Sequence, residues 1–572
     1  MNDLNGLIEQ ANYWMSIDPD ERTRNELQDL IEMAQDGDEA ALIDLQDRFS
    51  GTLQFGTAGL RAELGAGPMR MNRVVVRRAA AGLAAYATTR GESENWDSIT
   101  AVVGYDARYN SDIFAEETAA IFQAAGIHTK LMPKPLPTPV LAWATREYGA
   151  EIGVMVTASH NPPNDNGYKV YLGGKAVEEH AAGAQIVPPF DGQIAAAIAE
   201  VSDANIQLAT EGWDILPESV ATDYVNRISQ LCEPSERDLK IVYTAMHGVG
   251  GETIMRVLTD AGFNQVEAVA EQFVPDPAFP TVSFPNPEEP GALHLAIELA
   301  TKNDADLIIA NDPDADRAAF AVFDPTIGKW RQLRGDEIGS LLGVAMIQRL
   351  GDISTYEPTP VFANSIVSSR QLGTIARSAG LNHYETLTGF KWIARIKNLA
   401  YGYEEAIGYS VDPESVKDKD GISAGLMVAL YAQQLKNQGS SLIEVLQEIH
   451  REHGLFSTDQ VSIRVDDLSL IGSMMTNLRD NTPQQLAGSP VTTSVDLTEG
   501  SENLPPTEGM MFLSEDNTRV IVRPSGTEPK LKCYLEVILQ VGEEDGALEQ
   551  ARAQATKQLE EVAQDIKRAL GI

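Results

Sequence analysis

One unit of sequence recurs three times along the chain. Ala101–Val103 reads as a short apolar strand; a helical stretch follows, and Ala125-Gly126-Ile127 leads into a second strand. Ile241–Tyr243 is followed by a helix through Met255 and Leu258 and then by Ala261-Gly262-Phe263. Val361–Ala363 is followed by a helix through Ile375 and then by Ala379-Gly380-Leu381. The glycine suits a helix C-cap, where the chain needs a positive φ. Ala-Gly also closes helices in unrelated α/β proteins. The recurrence of the whole unit, with the glycines 136 and 118 residues apart, favours three domains of one α/β type.

The flanks differ from the repeat. Residues from about Asn5 to Phe49 read as helical, with Asp18–Asp20 and Glu21 at a helix start and Leu27, Leu30, Ile31 and Met33 as an apolar stripe. From about Thr458 the pattern is α+β: alternating Val461, Ile463 and Val465, strands at Val520–Val522 and Tyr534–Val537, and a closing helix from Ala547 to Leu570. The expected divisions are a helical extension over 1–50, α/β domains over 51–210, 211–330 and 331–455, and an α+β domain over 456–572, with the last join near Gly454.

The chain's 572 residues are enough for several cores. Its 44 Lys+Arg against 83 Asp+Glu give a formal charge of −39. That balance argues against nucleic acid, which needs a basic face, and against an anionic membrane. It leaves small phosphorylated ligands open, because a few local cations can outweigh the global field. The start, MNDLNGLIEQ, has neither a basic nor an apolar leader region, and no apolar run approaches a membrane span; the candidate around Leu341–Ile347 is a short core segment. Cys232 and Cys533 are too few and too distant for a disulfide framework, which fits a reducing cytoplasm.

Four stretches carry chemistry. Asn311-Asp312-Pro313-Asp314-Ala315-Asp316-Arg317 follows an apolar strand, and three alternate carboxylates there can converge on a hard cation such as Mg²⁺ or Ca²⁺. An EF-hand would need Gly at position 317 and Glu at 323, which are Arg and Phe. Three carboxylates leave coordination positions open for a phosphate; the same loop also reads as an acidic turn with Asp caps. Thr157-Ala158-Ser159-His160-Asn161-Pro162 follows the strand Ile152–Val156, so Ser159 can present its hydroxyl at a sheet's C-terminal edge. No Gly-x-Ser-x-Gly elbow surrounds it, so a hydrolase reading is weak; alone, it is an ordinary Ser/Asn/Pro turn. Arg523-Pro524-Ser525-Gly526-Thr527-Glu528-Pro529-Lys530 joins a guanidinium, hydroxyls and an approachable backbone, the parts of a phosphate cradle or of a Pro/Gly hairpin. Gly402-Tyr403-Glu404-Glu405 offers acceptors to sugar hydroxyls.

Taken with Phe55-Gly56-Thr57-Ala58-Gly59-Leu60-Arg61, Asp165-Asn166-Gly167-Tyr168-Lys169 and Thr388-Gly389-Phe390-Lys391, these motifs stand in an order that resembles the α-D-phosphohexomutase superfamily over nearly the whole chain, most closely its phosphoglucomutase/phosphopentomutase-like branch. The resemblance implies an α/β fold of four domains around a central cleft, the first three repeated and the fourth a smaller α+β domain. It implies a phosphoserine at Ser159, with Mg²⁺ held by Asp312, Asp314, Asp316 and an oxygen of that phosphoserine. Arg61, Arg317 and Lys391 match positions around the phosphates. Lys169 and His160 match proton-handling positions, with Lys169 as general base, a role requiring a depressed pKa. Arg523, Ser525, Gly526 and Thr527 would grip the distal phosphate, and Glu404 would read sugar hydroxyls.

The implied activity is that of an isomerase interconverting glucose 1-phosphate and glucose 6-phosphate through a bound bisphosphate (glucose 1,6-bisphosphate or its counterpart). The partners would be small sugar phosphates, with no nucleic acid or membrane, in a cytoplasmic monomer or homodimer. One departure bears on the sugar. Many relatives have Ser two places after the first Glu of the sugar loop, and here it is Ala406, so one hydroxyl contact is either missing or supplied elsewhere, with Tyr403 and Tyr409 as candidates. Mannose and pentose phosphates and a bisphosphate synthase remain alternatives. A binding protein descended from a mutase would have lost a catalytic position, and none is lost; a dinucleotide enzyme would need the Gly-x-Gly-x-x-Gly that is absent here.

Overall fold

The computed structural model describes residues 4–56, 59–465, 469–501, 504–525 and 530–572. The chain forms two compact units, one of residues 1–321 with 412–426, the other of residues 322–411 with 427–572.

The first unit contains the N-terminal helices Leu4–Ile17, Glu21–Gln35 and Glu39–Arg48. Asp20 and Asp38 cap the second and third by accepting backbone N–H bonds. Leu7, Trp14, Leu27, Ile31 and Leu45 bury against the core of the first sheet. Met33 does not join them: it is 45% exposed, because the helical period gives its expected place in the stripe to Ala34.

The three recurring units fold alike. In each, a first strand, a helix and a second, parallel strand are followed by a third strand that pairs parallel with the first on its other side, and by a fourth that returns antiparallel to the third. The four strands are Thr100–Tyr105, His128–Leu131, Ile152–Val156 and Asp165–Leu172 in the first. They are Ile241–Thr244, Val266–Ala268, Leu307–Asn311 and Ala318–Asp324 in the second, where the boundary between units falls after Ala321. In the second unit of the molecule they are Val361–Ser365, Asn382–Thr386, Leu399–Glu404 and Gly408–Ser410.

The glycine signal has a common cause. Gly126, Gly262 and Gly380 have φ of +81°, +90° and +79°. Beyond each, the N–H of the next residue closes a six-to-one bond: Ile127 to Phe122, Phe263 to Leu258 and Leu381 to Ala376, all 2.9–3.0 Å. This is a Schellman cap whose apolar following residue is buried ahead of the next strand.

The second unit also holds an antiparallel six-stranded sheet, in the order Leu455–Arg464, Lys530–Leu539, Arg519–Pro524, Met510–Ser514, Ser489–Asp496 and Gln485–Leu486. Helices Ser469–Asp480 and Ala547–Leu570 contribute to its core with Met475, Leu478, Leu559, Val562 and Ile566. The C-terminal sheet meets the third repeat through buried Glu536, which accepts from Ser369 Oγ (2.8 Å) and from the backbone N–H of Arg370 (2.9 Å). Among the described residues no helix is long and apolar enough to cross a membrane.

Candidate active site

The turn between the third and fourth strands is where each repeat carries its chemistry. Ser159, Asp312–Arg317 and Glu404–Ile407 all occupy that turn. Each version holds one non-glycine residue in the left-handed region: Ser159 (φ +52°), Ala315 (+55°) and Ile407 (+53°). Such backbone costs energy and persists where the surroundings fix it.

In the first unit, Ser159 and the three carboxylates come together. Ser159 is 2% exposed and its hydroxyl donates to Asp312 Oδ2 at 2.7 Å. Its loop is held by Arg108, whose guanidinium donates to the carbonyls of Ser159 (2.6 Å), Asn161 (2.6 Å), Pro162 (2.7 Å) and Asp165 (3.1 Å). Asp312 in turn accepts the backbone N–H of Arg317 at 3.0 Å, tightening the acidic loop. Asp312, Asp314 and Asp316 are all buried and offer oxygens within 4.8 Å of one another. Asp314 Oδ1 and Asp316 Oδ1 are buried without a hydrogen-bond partner. Convergent, under-satisfied hard oxygens fit a divalent cation such as Mg²⁺.

Cations ring the carboxylates. Lys169, on the fourth strand, donates to Asp314 Oδ2 and Asp316 Oδ2, both at 2.8 Å, and Lys419 lies 3.2 Å from Asp316 Oδ2. Burial with Asp314 and Asp316 holds the Asp312 carboxyl well above its ordinary range. Asp316 is held well below, because the lysines outweigh its burial. The carboxylates act on Lys169 in the direction opposite to the lowering expected of a general base. Burial alone would lower its pKa, but Asp314, Asp316 and Asp418 raise it. His160 is the opposite case: burial, then Arg317 and Arg61, keep the imidazole well below its usual pKa. Its Nδ1 lies 3.4 Å from Ser159 Oγ and accepts from Arg317. Arg61 sits on the strand Leu60–Glu63 opposite Gly167 and donates to Asn161 Oδ1 at 3.2 Å. That strand can lie so close only because Gly59 (φ +81°) has no Cβ, which would fall 1.9 Å from Tyr168 O.

In the second unit, Glu404 is 8% exposed and accepts the N–H of Gly389 at 2.7 Å, which ties the sugar loop to the Thr388–Lys391 turn. Lys391 is buried, its Nζ 5.6 Å from the centre of the Trp392 ring. Arg523 and Ser525 sit at the end of the strand Arg519–Pro524; Tyr534 hydrogen-bonds the Arg523 side chain, and Ser525 N–H donates to Lys530 O at 2.8 Å. Gly526 and Thr527 lie outside the described residues. Neither tyrosine substitutes for the missing serine: Tyr403 and Tyr409 are fully buried, and the Tyr403 hydroxyl donates to Asp336 at 2.9 Å. Aromatic bulk drew both into the core. The serines at this loop come instead from the first strand's end, where Ser365 (3.2 Å) and Ser368 (3.0 Å) donate to Glu405 Oε2.

Sequence reasoning passed over Arg108, Thr138 and Lys419. Thr138 Oγ1 donates to Asp314 Oδ2 at 2.7 Å. The usable signals were Asp106-Ala107-Arg108 directly after a strand and the alternating Lys417-Asp418-Lys419-Asp420 before a helix.

Family models match four consecutive stretches: phosphoglucomutase/phosphomannomutase alpha/beta/alpha domain I at residues 52–203, domain II at 222–325, domain III at 334–452, and the C-terminal domain at 502–538. The chain belongs to the phosphoglucomutase/phosphomannomutase family. It is 46% identical over 471 residues to a Haemophilus influenzae protein named "probable phosphomannomutase", covering 82% of this chain and 93% of that one. It is 35% identical over 560 residues to the phosphoribomutase of Saccharomyces cerevisiae (86% and 87%), and 35% identical over 518 residues to a phosphoglucomutase of Staphylococcus haemolyticus (86% and 91%). The open form of Paramecium parafusin shares the fold, with a TM-score of 0.67 at 18% identity over 92% of this chain and 96% of that one. The chain is therefore a phosphomutase, an isomerase that transfers phosphate intramolecularly.

Proposed function

We propose that the protein is a Mg²⁺-dependent phosphosugar mutase working through a phosphoserine at Ser159 and a bound sugar bisphosphate, with glucose 1-phosphate and glucose 6-phosphate as its substrate pair. The observation that carries this reading is the Ser159 hydroxyl held 2.7 Å from a carboxylate of the acidic triad. In the forward step the phosphoserine P–O bond breaks as a sugar hydroxyl oxygen bonds to phosphorus, and the hydroxyl proton passes to a base. The reverse step takes the other phosphate back to Ser159. Such transfer needs positioning and neutralisation of charge on the phosphoryl oxygens. Asp312, Asp314 and Asp316 would hold Mg²⁺, which would supply that neutralisation and compete with Lys169 for its carboxylates. Arg61 and Arg317 neutralise phosphate oxygens from the protein side. His160, kept neutral with Nδ1 3.4 Å from Ser159 Oγ, and Lys169, on the triad, stand at the proton-handling positions. Glu404 accepts sugar hydroxyls, Lys391 supports their phosphate, and Arg523 and Ser525, with Gly526 and Thr527, take the distal phosphate.

A pentose phosphate is the second reading. It is favoured by Ala406, which leaves the sugar loop one hydroxyl short, and by the similarity to the yeast phosphoribomutase. The enzyme would work in the cytoplasm as a monomer or homodimer. Ser159→Ala should abolish turnover of every sugar phosphate while leaving the unfolding midpoint unchanged; residual activity near wild type would overturn the mechanism. Comparing kcat/KM for glucose, mannose and ribose 1-phosphates identifies the sugar, and a ribose preference would replace the first reading by the second.

A further inference from the structure

The sugar loop carries two adjacent carboxylates, held in different ways. Glu404 accepts the Gly389 N–H with one oxygen. Glu405 is anchored by two serines. Its Oε2 accepts from Ser365 Oγ (3.2 Å) and Ser368 Oγ (3.0 Å), and its backbone N–H donates to Ser368 Oγ (3.0 Å). Both serines are fully buried, and their hydroxyls lie 2.8 Å apart. Glu405 itself is only partly buried, and its Oε1 takes no hydrogen bond among the described residues. One oxygen is fixed in advance and the other is left to accept, which is how a recognition group is preorganised.

The segment that anchors Glu405 is also the one on which the C-terminal sheet docks. Arg519 Nη2 donates to Ser368 O at 2.6 Å, and Glu536 accepts from Ser369 Oγ and the Arg370 N–H. Ile366 and Val367, between the two serines, share an apolar cluster with Ile521 and Tyr534. Arg519, Ile521 and Arg523 alternate along one strand and so share a face. Arg523 therefore points the same way as the two residues that touch the anchoring segment. A carboxylate suited to hydroxyls and a guanidinium suited to phosphate flank one contact within the second unit.

Keeping a carboxylate at this place is costly. Burial, then Glu404 and Asp336, push it up to about 7. Glutamine has the same shape and accepts from both serines without that cost, so holding the serines does not account for the charge. A hydroxyl donor at Oε1 does, because a carboxylate is a stronger acceptor than an amide.

We propose that Glu405 is a second hydroxyl acceptor of the sugar loop, through Oε1, and determines which sugar phosphates are selected by reading a hydroxyl that Glu404 does not. A sugar without that hydroxyl leaves the anchored carboxylate unsatisfied and is rejected for that reason. This inference rests on the reading that the loop receives the sugar.

The test is a cycle of kcat/KM measurements that pairs wild type and Glu405→Ala with glucose 1-phosphate and its 2-deoxy, 3-deoxy and 4-deoxy forms. Where ribose 1-phosphate is the better substrate, the cycle uses its 2-deoxy and 3-deoxy forms. Glu405→Ala should lower kcat/KM for the parent sugar about thirtyfold. For one deoxy sugar it should change the value less than threefold, because the partner hydroxyl is already gone. Glu405→Gln, which keeps the shape, should show the same pattern with a smaller loss and reads out the cycle if the alanine variant fails to fold. An equal loss on the parent and on every deoxy sugar overturns the proposal and makes Glu405 part of the loop's architecture. Turnover of no sugar phosphate by the wild type overturns the reading of the site itself, and this inference with it.

Discussion

Ser159 presents its hydroxyl from backbone at φ +52°, and a residue with a side chain keeps that conformation only if its neighbours enforce it. Arg108 is the enforcing group. It is 4% exposed, paired with Asp106 at 3.4 Å, stacked 5.0 Å from the Phe279 ring, and bonded to four carbonyls of the loop. Lysine keeps the charge but loses the planar fork that reaches several acceptors at once. Arg108→Lys should therefore lower kcat about a hundredfold with little change in KM, the signature of a misplaced nucleophile. A KM effect alone would instead make Arg108 a binding residue. Glu405 is a second residue with a readable consequence. Burial, then Glu404 and Asp336, raise its carboxyl to about 7 from an ordinary 4.5, against the relief supplied by Ser368 and Lys532. A raised acid favours the folded state least when it is ionised: the penalty is absent below about 4.5 and complete above about 7. Glu405→Gln should therefore gain about 3 kcal/mol in unfolding free energy at pH 8 and nothing at pH 4.5. An equal gain at both values would mean that packing, not charge, is at issue.

At the scale of the element, the three Schellman caps are the same motif under different crowding. A Cβ on Gly126 would meet nothing within 4 Å, whereas one on Gly262 would fall 1.8 Å from Ser235 O. Gly126→Ala should cost about 1 kcal/mol, the price of a left-handed alanine, and Gly262→Ala at least twice that, measured by urea unfolding. Equal costs would show that the chain at Ser235 yields freely. These caps were legible in the sequence because Ala-Gly-apolar encodes them locally. The strand before each functional turn was legible for the same reason, as an apolar run ending in polar residues. The pairing order was not, since the third strand pairs with the first across a helix and nothing local records that. Arg108 and Lys419 stayed hidden because their roles depend on where distant turns arrive: Lys419 follows the third repeat in sequence but packs with the first two. Tyr403 and Tyr409 misled because a hydroxyl near a motif says nothing about which face of the strand it occupies, and pleating turned both inward.

Across the whole molecule, a net charge of −39 coexists with a site rich in cations. Arg61, Lys169, Arg317 and Lys419 surround Ser159 and the triad within the first unit, and three of the chain's carboxylates are themselves part of the charge-binding machinery. The two populations of charge answer differently to salt. The dispersed surface excess repels itself, and added ions screen it, which favours the folded state. The site's cations attract a dianionic substrate, and the same ions weaken that attraction, although burial limits the loss. Raising NaCl from 20 to 200 mM at constant Mg²⁺ should thus raise the unfolding midpoint by about 2 °C while raising KM and leaving kcat nearly fixed. A gain in stability alongside a loss of substrate affinity in one titration separates the acidic shell from the basic site. If the midpoint and KM both fell, the surface excess would be stabilising through local pairs and the substrate would not be held by exposed charge.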